Sequence, residues 1–275
     1  MEPEICFLQA NLAKVNQYDL VYDPFCGSGS NLISAAHFGG LVIGSDLDYN
    51  ILYSRGKSSR ADGDKLRSSK VTLRSEMTNN YKTGDRLVGT FRTDFSNTAF
   101  RSKEGFLDAI ISDPPYGVRE MCKKVGSKET KKSKPSWPET LHNQKDFVEN
   151  RDNKPDYIDI RIHYPQKIEY NMENLFIDLI NFAARTLKIG GRLTFWLPVA
   201  LDQVDSHKIT HDDLEFFSKS IEPLSGRTGR QLWVFEKVRK FSGESAVFES
   251  TFYKETNNFR ELHYGPGKVE SKEEE

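Results

Sequence analysis

The sequence predicts an α/β fold with a mostly parallel central sheet and flanking helices. Apolar runs of strand length alternate with segments of helical period, and glycine or proline punctuates the ends of the runs. From Asp19 to Asp48 the order is complete. Leu20-Val21-Tyr22 reads as a buried strand, Gly27 and Gly29 as a turn, Leu32 to Phe38 as a helix, and Leu41-Val42-Ile43 as a second strand. This is a βαβ unit, which requires a parallel pair and a right-handed crossover.

The same reading continues downstream. Leu87 to Arg92 and Leu107 to Ile111 are strand-like, and the second run ends in Ser112-Asp113-Pro114-Pro115-Tyr116-Gly117, where two prolines force a loop. Residues 118–170 are lysine-rich and then mixed in charge, with prolines at 135, 138, 155 and 165, and read as a flexible insertion. In Met172 to Leu187 the residues Leu175, Phe176, Leu179, Ile180, Ala183, Ala184 and Leu187 share one helical face, and Gly190-Gly191 is expected to end the helix. Leu193 to Leu197 is the next expected strand. Thr210 and Asp213 predict the capped start of a helix carrying Leu214, Phe216 and Phe217, before a strand from Gln231 to Val238. The expected organisation is a catalytic domain over 1–240 and an extension over 241–275 that ends in an acidic tail.

Bulk properties narrow the class. The 275 residues lie near the limit of about 250–300 for one core. With 37% hydrophobic and 29% charged residues and a mean hydropathy of −0.62, the chain is on the polar side for a soluble protein. No stretch suits a bilayer, and Met1-Glu2-Pro3-Glu4 lacks the character of a signal peptide, so a cytoplasmic location, with the nucleus as a second, and no membrane partner are expected. Cys6, Cys26 and Cys122 are scattered and predict reduced thiols. His37, His163 and His211 have no ligand spacing, and no metal is expected. A net charge of −1 leaves nucleic-acid affinity to a local patch or a partner.

The candidate chemistry sits at the ends of the predicted strands. Asp23-Pro24-Phe25-Cys26-Gly27-Ser28-Gly29-Ser30 follows the first strand, where open α/β sheets bind ligands. Gly27 and Gly29 permit close backbone approach, and the next helix start offers N–H groups to a carboxylate. No Gly-Lys-Ser/Thr follows, so this is not a phosphate loop. Asp46, in Gly44-Ser45-Asp46-Leu47-Asp48, falls where a ribose diol would lie, while Asp48 equally suits a helix cap. Asp94 follows the third strand and suits either an adenine amino group or a turn.

Asp113-Pro114-Pro115-Tyr116 is the most informative segment. The lone pair of an exocyclic base amine is delocalised into the ring, so a site that methylates it must favour tetrahedral nitrogen. A carboxylate and a carbonyl can each accept one amine hydrogen and direct the lone pair at the methyl group. Pro114 supplies a carbonyl without a competing N–H, Pro115 stiffens the turn, and Tyr116 offers a face for an extruded base, a contact of about 1–3 kcal/mol. Taken alone, the segment also suits a rigid turn with a packed tyrosine.

Together, "DPFCGSGS" (23–30), "GSDLD" (44–48), "RGKSSR" (55–60), "DPPYGVRE" (113–120) and "NFAARTLKIGGRLTFWLP" (181–198) resemble the tRNA (guanine(10)-N2)-methyltransferase family. The likeness runs from about Glu2 to Val238, apart from the insertion. It implies a Rossmann-type class I S-adenosylmethionine-dependent methyltransferase fold. By the same likeness, Asp23, Gly27 and Gly29 surround the methionine part of the cofactor, Pro24 and Phe25 also line the cofactor site, Asp46 lies on its ribose and Asp94 near its adenine. Asp113, Pro114, Pro115 and Tyr116 hold the guanine, and Glu2-Pro3-Glu4 helps close the pocket. The partners implied are tRNA and, in the eukaryotic branch, a small zinc-binding activator subunit. Family members also carry an amino-terminal THUMP-containing region, whereas this sequence opens on the catalytic domain. The lysines at 123, 124, 128, 131, 132 and 134 are candidates for phosphate contact. Two other readings remain: a DNA adenine or cytosine amino-methyltransferase, since Asp-Pro-Pro-Tyr also suits those enzymes, and a non-catalytic scaffold of the same fold.

Overall fold

The computed structural model describes residues 2–52, 72–98, 100, 105–116, 122–126 and 166–250. Residues 55–60, 117–120, 128, 131, 132 and 134, most of the expected insertion and the acidic tail lie outside them. The chain divides into two units: one comprises residues up to Cys122 and from Tyr170 onward, the other runs from Lys123 to Glu169. In the second unit, β5 (Lys123–Val125) and β6 (Lys167–Glu169) form a two-stranded antiparallel ladder, extended by Gly126 N–H donating to Gln166 O at 3.0 Å.

The first unit is built on a seven-stranded sheet in the order β3-β2-β1-β4-β7-β10-β9, from β1 (Leu20–Asp23), β2 (Leu41–Asp46), β3 (Leu87–Arg92), β4 (Leu107–Ser112), β7 (Leu187–Ala200), β9 (Leu214–Pro223) and β10 (Thr228–Lys237). The first five are parallel neighbours, and β10 is antiparallel to both β7 and β9. Consecutive residues face opposite layers, as the strand period demands. Tyr22 and Ile110 join a core with Phe176, Leu179, Phe182 and Phe195, while Val21 and Ile111 join another with Leu32, Ala35 and Val42.

Helices α1 (Pro3–Leu12) and α2 (Ser30–His37) contribute to the second core, and α5 (Met172–Thr186) supplies the first. Two short helices, α3 (Tyr49–Leu52) and α4 (Leu73–Glu76), lie between β2 and β3. Pro3 occupies the first turn of α1, where its missing N–H costs nothing. Asn171 caps α5 by accepting from the N–H groups of Glu173 and Asn174. Among the described residues no helix is long and apolar enough to cross a membrane.

Two expectations are corrected. Leu214 to Pro223 is not a helix but the edge strand β9, paired over its length with β10 and broken by a bulge at Val234/Phe235. Helix α5 ends at Thr186, before the paired glycines, and β7 runs from Leu187, so Gly190 (φ +84°) and Gly191 lie in the strand's first third. Beyond residue 240 the described residues run to Ser250. β11 (Val247–Ser250) pairs antiparallel with β8 (His207–Thr210), and Ala246 belongs to the first core.

Candidate methyl-transfer site

Because β3, β2, β1 and β4 are adjacent and parallel, their carboxyl ends share one edge of the sheet. Each delivers a carboxylate there: Asp94 two residues after β3, Asp46 ending β2, Asp23 ending β1 and Asp113 immediately after β4. The residues singled out in the sequence are thus brought to one edge by topology, across the position where the strand order reverses.

The turn after β1 is tied to β2. Cys26 N–H donates to Ser45 O at 2.9 Å, Gly27 N–H to Asp46 Oδ2 at 2.9 Å, and Ser45 Oγ–H to Pro24 O at 3.2 Å. Gly27 (φ +51°) and Gly29 (φ +89°) are left-handed, which accounts for glycine at both positions. A side chain at Gly27 would enter open space, while one at Gly29 would strike Leu73. Phe25 rests against Phe95, the residue after Asp94, with ring centroids 5.0 Å apart.

Asp23 is 2% exposed and accepts from Phe25 N–H at 3.0 Å and Asn31 Nδ2–H at 3.2 Å. Burial nonetheless pushes its pKa up to about 8, and the Asp113 and Asp46 charges add to that rise. Asp46 Oδ1 accepts from Asp48 N–H at 2.7 Å, so both oxygens of Asp46 are oriented by backbone. Asp48 in turn accepts from Ile51 N–H at the start of α3, as a cap would. Asp94 Oδ1 accepts from the N–H and hydroxyl of Ser96, the turn role its position also allows.

At Asp113 the side chain is 27% exposed, yet desolvation raises its pKa to about 6, with Arg230 opposing the rise and Glu222 adding to it. Pro114 is buried, and Pro115 and Tyr116 are half-buried. Tyr116 does not pack away in the core: its hydroxyl accepts from Arg230 Nη1–H at 3.2 Å.

Several participants carry no local signal. Arg230 on β10 pairs with Asp113 at 3.5 Å and with Glu222 at 2.7 Å. Gln9 of α1, fully buried, donates to Ser112 O at 2.9 Å and Thr194 O at 3.1 Å while accepting from Trp196 Nε1–H. Asn31 sits one residue into α2, and its Oδ1 is a buried acceptor without a partner. A polar residue in the first turn after a glycine loop is the one clue the sequence holds.

A glycine turn, four strand-end carboxylates and an unpartnered acceptor form an acceptor-rich, electron-rich edge. This set of acceptors fits a ligand with a diol and positive charge, such as the ribose, ammonium and sulfonium of S-adenosylmethionine. Fold and edge together define a Rossmann-type class I methyltransferase domain. A family model described as RMKL-like, methyltransferase domain, matches residues 2–132. The chain is 35% identical over 282 residues to the human tRNA (guanine(10)-N(2))-methyltransferase TRMT11, a match covering 100% of this chain and 56% of that protein. It is 36% identical to the Rattus norvegicus protein of that name, with 96% of this chain and 53% of the relative covered. For the Saccharomyces cerevisiae tRNA (guanine(10)-N(2))-methyltransferase the identity is 30%, with 96% and 54% covered. Over the span it shares with them, the chain is similar to this methyltransferase family. It spans about half the length of the curated relatives it matches.

Proposed function

We propose that this chain is the catalytic domain of an S-adenosylmethionine-dependent tRNA methyltransferase that modifies the exocyclic N2 amino group of a guanosine, at position 10, in the cytoplasm. The observation that carries the reading is the placement of Asp113 and Pro114 directly after β4, beside the glycine turn of β1. When bound, S-adenosylmethionine supplies an electrophilic methyl group on a sulfonium. Asp23, Pro24, Phe25, Gly27 and Gly29 hold its methionine part, Asp46 the ribose hydroxyls, and Asp94 with its apolar neighbours the adenine.

The remaining work falls to the loop after β4. The Asp113 carboxylate and Pro114 carbonyl each accept a hydrogen of the guanine amino group, which pushes the nitrogen toward tetrahedral geometry and exposes its lone pair. Pro115 fixes the carbonyl's direction, and the Tyr116 ring stacks on the base. Once the nitrogen has gained its new substituent it must shed a proton. With a pKa of about 6, Asp113 is ionised near neutrality and basic enough to take it. The partners are tRNA and, by family resemblance, a small zinc-binding activator subunit, with the family's THUMP-containing region gripping the tRNA.

The test is nucleoside mass spectrometry after incubation with unmodified tRNA transcript, with and without the activator. N2-methylguanosine at position 10 is the expected product. Methylated adenine or cytosine in DNA would establish the alternative amino-methyltransferase reading, and cofactor binding with no product on either substrate would favour a scaffold.

A further inference from the structure

Pro114 and Pro115 give the loop after β4 its direction, but neither has an N–H with which to anchor it. Side chains from other elements hold it instead. At its start, Gln9 grips Ser112 O and is itself tied to the Trp196 indole. At its far end stands Arg230, 9% exposed. Its Nη1 lies 3.5 Å from Asp113 Oδ1 and 3.2 Å from the Tyr116 hydroxyl, its Nε donates to Glu222 Oε2 at 2.7 Å, and its Cζ lies 4.3 Å from the Trp196 ring centroid.

We propose that Arg230 is a positioning residue for base methylation: its guanidinium, oriented by Glu222 and Trp196, holds the Asp113 carboxylate and the Tyr116 hydroxyl in one fixed relation. This inference rests on the function proposed above. Three features of the geometry favour it. Glu222 takes the Nε edge at a full charge-assisted distance, which fixes the plane of the fork and turns Nη1 toward the loop. The Asp113 pair, at 3.5 Å, is longer than the 2.7–2.9 Å typical of such bonds, so the carboxylate is electrostatically held without being saturated and keeps acceptor capacity for an amine. One nitrogen serves both the proton acceptor and the base-stacking ring, so their separation is set by a rigid group.

The groups that bear on Asp113 are Arg230 from β10, the amino-terminal charge of the chain, Glu222 from β9, Asp23 from β1 and Cys6 from α1. The Cys6 thiol, pushed up to about 11 by burial, stays neutral, and of the two cations that favour the ionised carboxylate, the amino terminus and Arg230, the stronger is Arg230. Its removal makes Asp113 a weaker acid, and activity that needs the carboxylate then moves to higher pH.

The experiment compares the parent chain with R230Q, R230K and Y116F, with the cognate tRNA and activator present. R230Q is expected to lower kcat at pH 7 by about tenfold or more, shift the acid limb of the rate profile to higher pH, and leave S-adenosylmethionine affinity within about twofold. R230K should restore the limb but not kcat, because one ammonium cannot hold both groups. Y116F should raise KM without moving the limb. Carboxyl NMR titration of Asp113, assigned against D113N, reads the coupling without turnover. A folded R230Q with an unmoved limb and an unmoved Asp113 titration would overturn the proposal; should R230Q fail to fold, an R230K rate equal to that of the parent would do so. If the chain, joined to the remaining half of its relatives' length, methylates no guanosine, the proposed function fails instead, while the titration still decides whether Arg230 governs Asp113.

Discussion

Asp23 is asked to be both buried and useful to a cation. With a pKa near 8 in the ligand-free protein, it holds its proton at pH 7. Its folded pKa lies above the unfolded value of about 3.9, so the folded state binds the extra proton, and the stability it contributes falls as pH rises from about 4 to about 8. A cationic ligand reverses the balance by favouring the carboxylate. S-adenosylmethionine binding at pH 7 should therefore release a proton and tighten as pH rises toward 8. Calorimetry in buffers of different ionisation enthalpy measures this, and D23N should abolish the release. Asp46 plays a different part, since two backbone N–H groups already orient its oxygens. D46A should weaken cofactor binding by about 1.5–3 kcal/mol, the range for bonds to a charged group, and unchanged affinity would remove Asp46 from the site. D113A should leave cofactor affinity nearly intact and lower the methylation rate strongly, because its hydrogen bonds matter most as the amine becomes tetrahedral.

At the scale of elements, the sequence makes legible what short-range chemistry decides. The unit from β1 through α2 to β2 can be read directly because its glycine turn, apolar runs and strand-end aspartates all lie within 30 residues of one another. β9 cannot, because Leu214, Phe216 and Phe217 satisfy a helical spacing as well as a strand, and only the pairing with β10 decides between them. Arg230 is hidden for a related reason: its partner Asp113 is 117 residues away, and nothing near Arg230 announces it. The turn itself can be tested at Gly29. Alanine there must adopt φ +89°, and its Cβ would sit 2.6 Å from Leu73 Cδ1. The left-handed backbone alone costs about 1–2 kcal/mol, so G29A should lower thermal stability and cofactor affinity together. A thermal midpoint equal to the parent's would mean that the turn relaxes more easily than its packing indicates.

At the scale of the molecule, the cofactor edge and the RNA-binding surface are separable problems. Asp46, Asp94 and Asp113 at the sheet edge make that region acidic, and Asp23 adds its charge once a bound cation displaces its proton, which suits a sulfonium and repels phosphate. Affinity for RNA comes largely from neutralising phosphates and releasing their counterions, so it scales with the number of cations that reach the backbone. A chain with net charge −1 and one lysine cluster at 123–134 offers few. This 275-residue polypeptide alone should therefore bind tRNA weakly, with a shallow dependence of log K on log salt. Fusing it to the remaining half of its relatives' length should raise affinity and steepen that slope, while cofactor affinity stays put. Replacing Lys131, Lys132 and Lys134 with alanine should reduce the residual binding and flatten the slope further, by up to about one unit for each phosphate no longer neutralised. Filter binding at several salt concentrations measures all three. Tight, steeply salt-dependent binding by this polypeptide alone, undiminished by the lysine changes, would place the RNA surface on the described sheet unit instead.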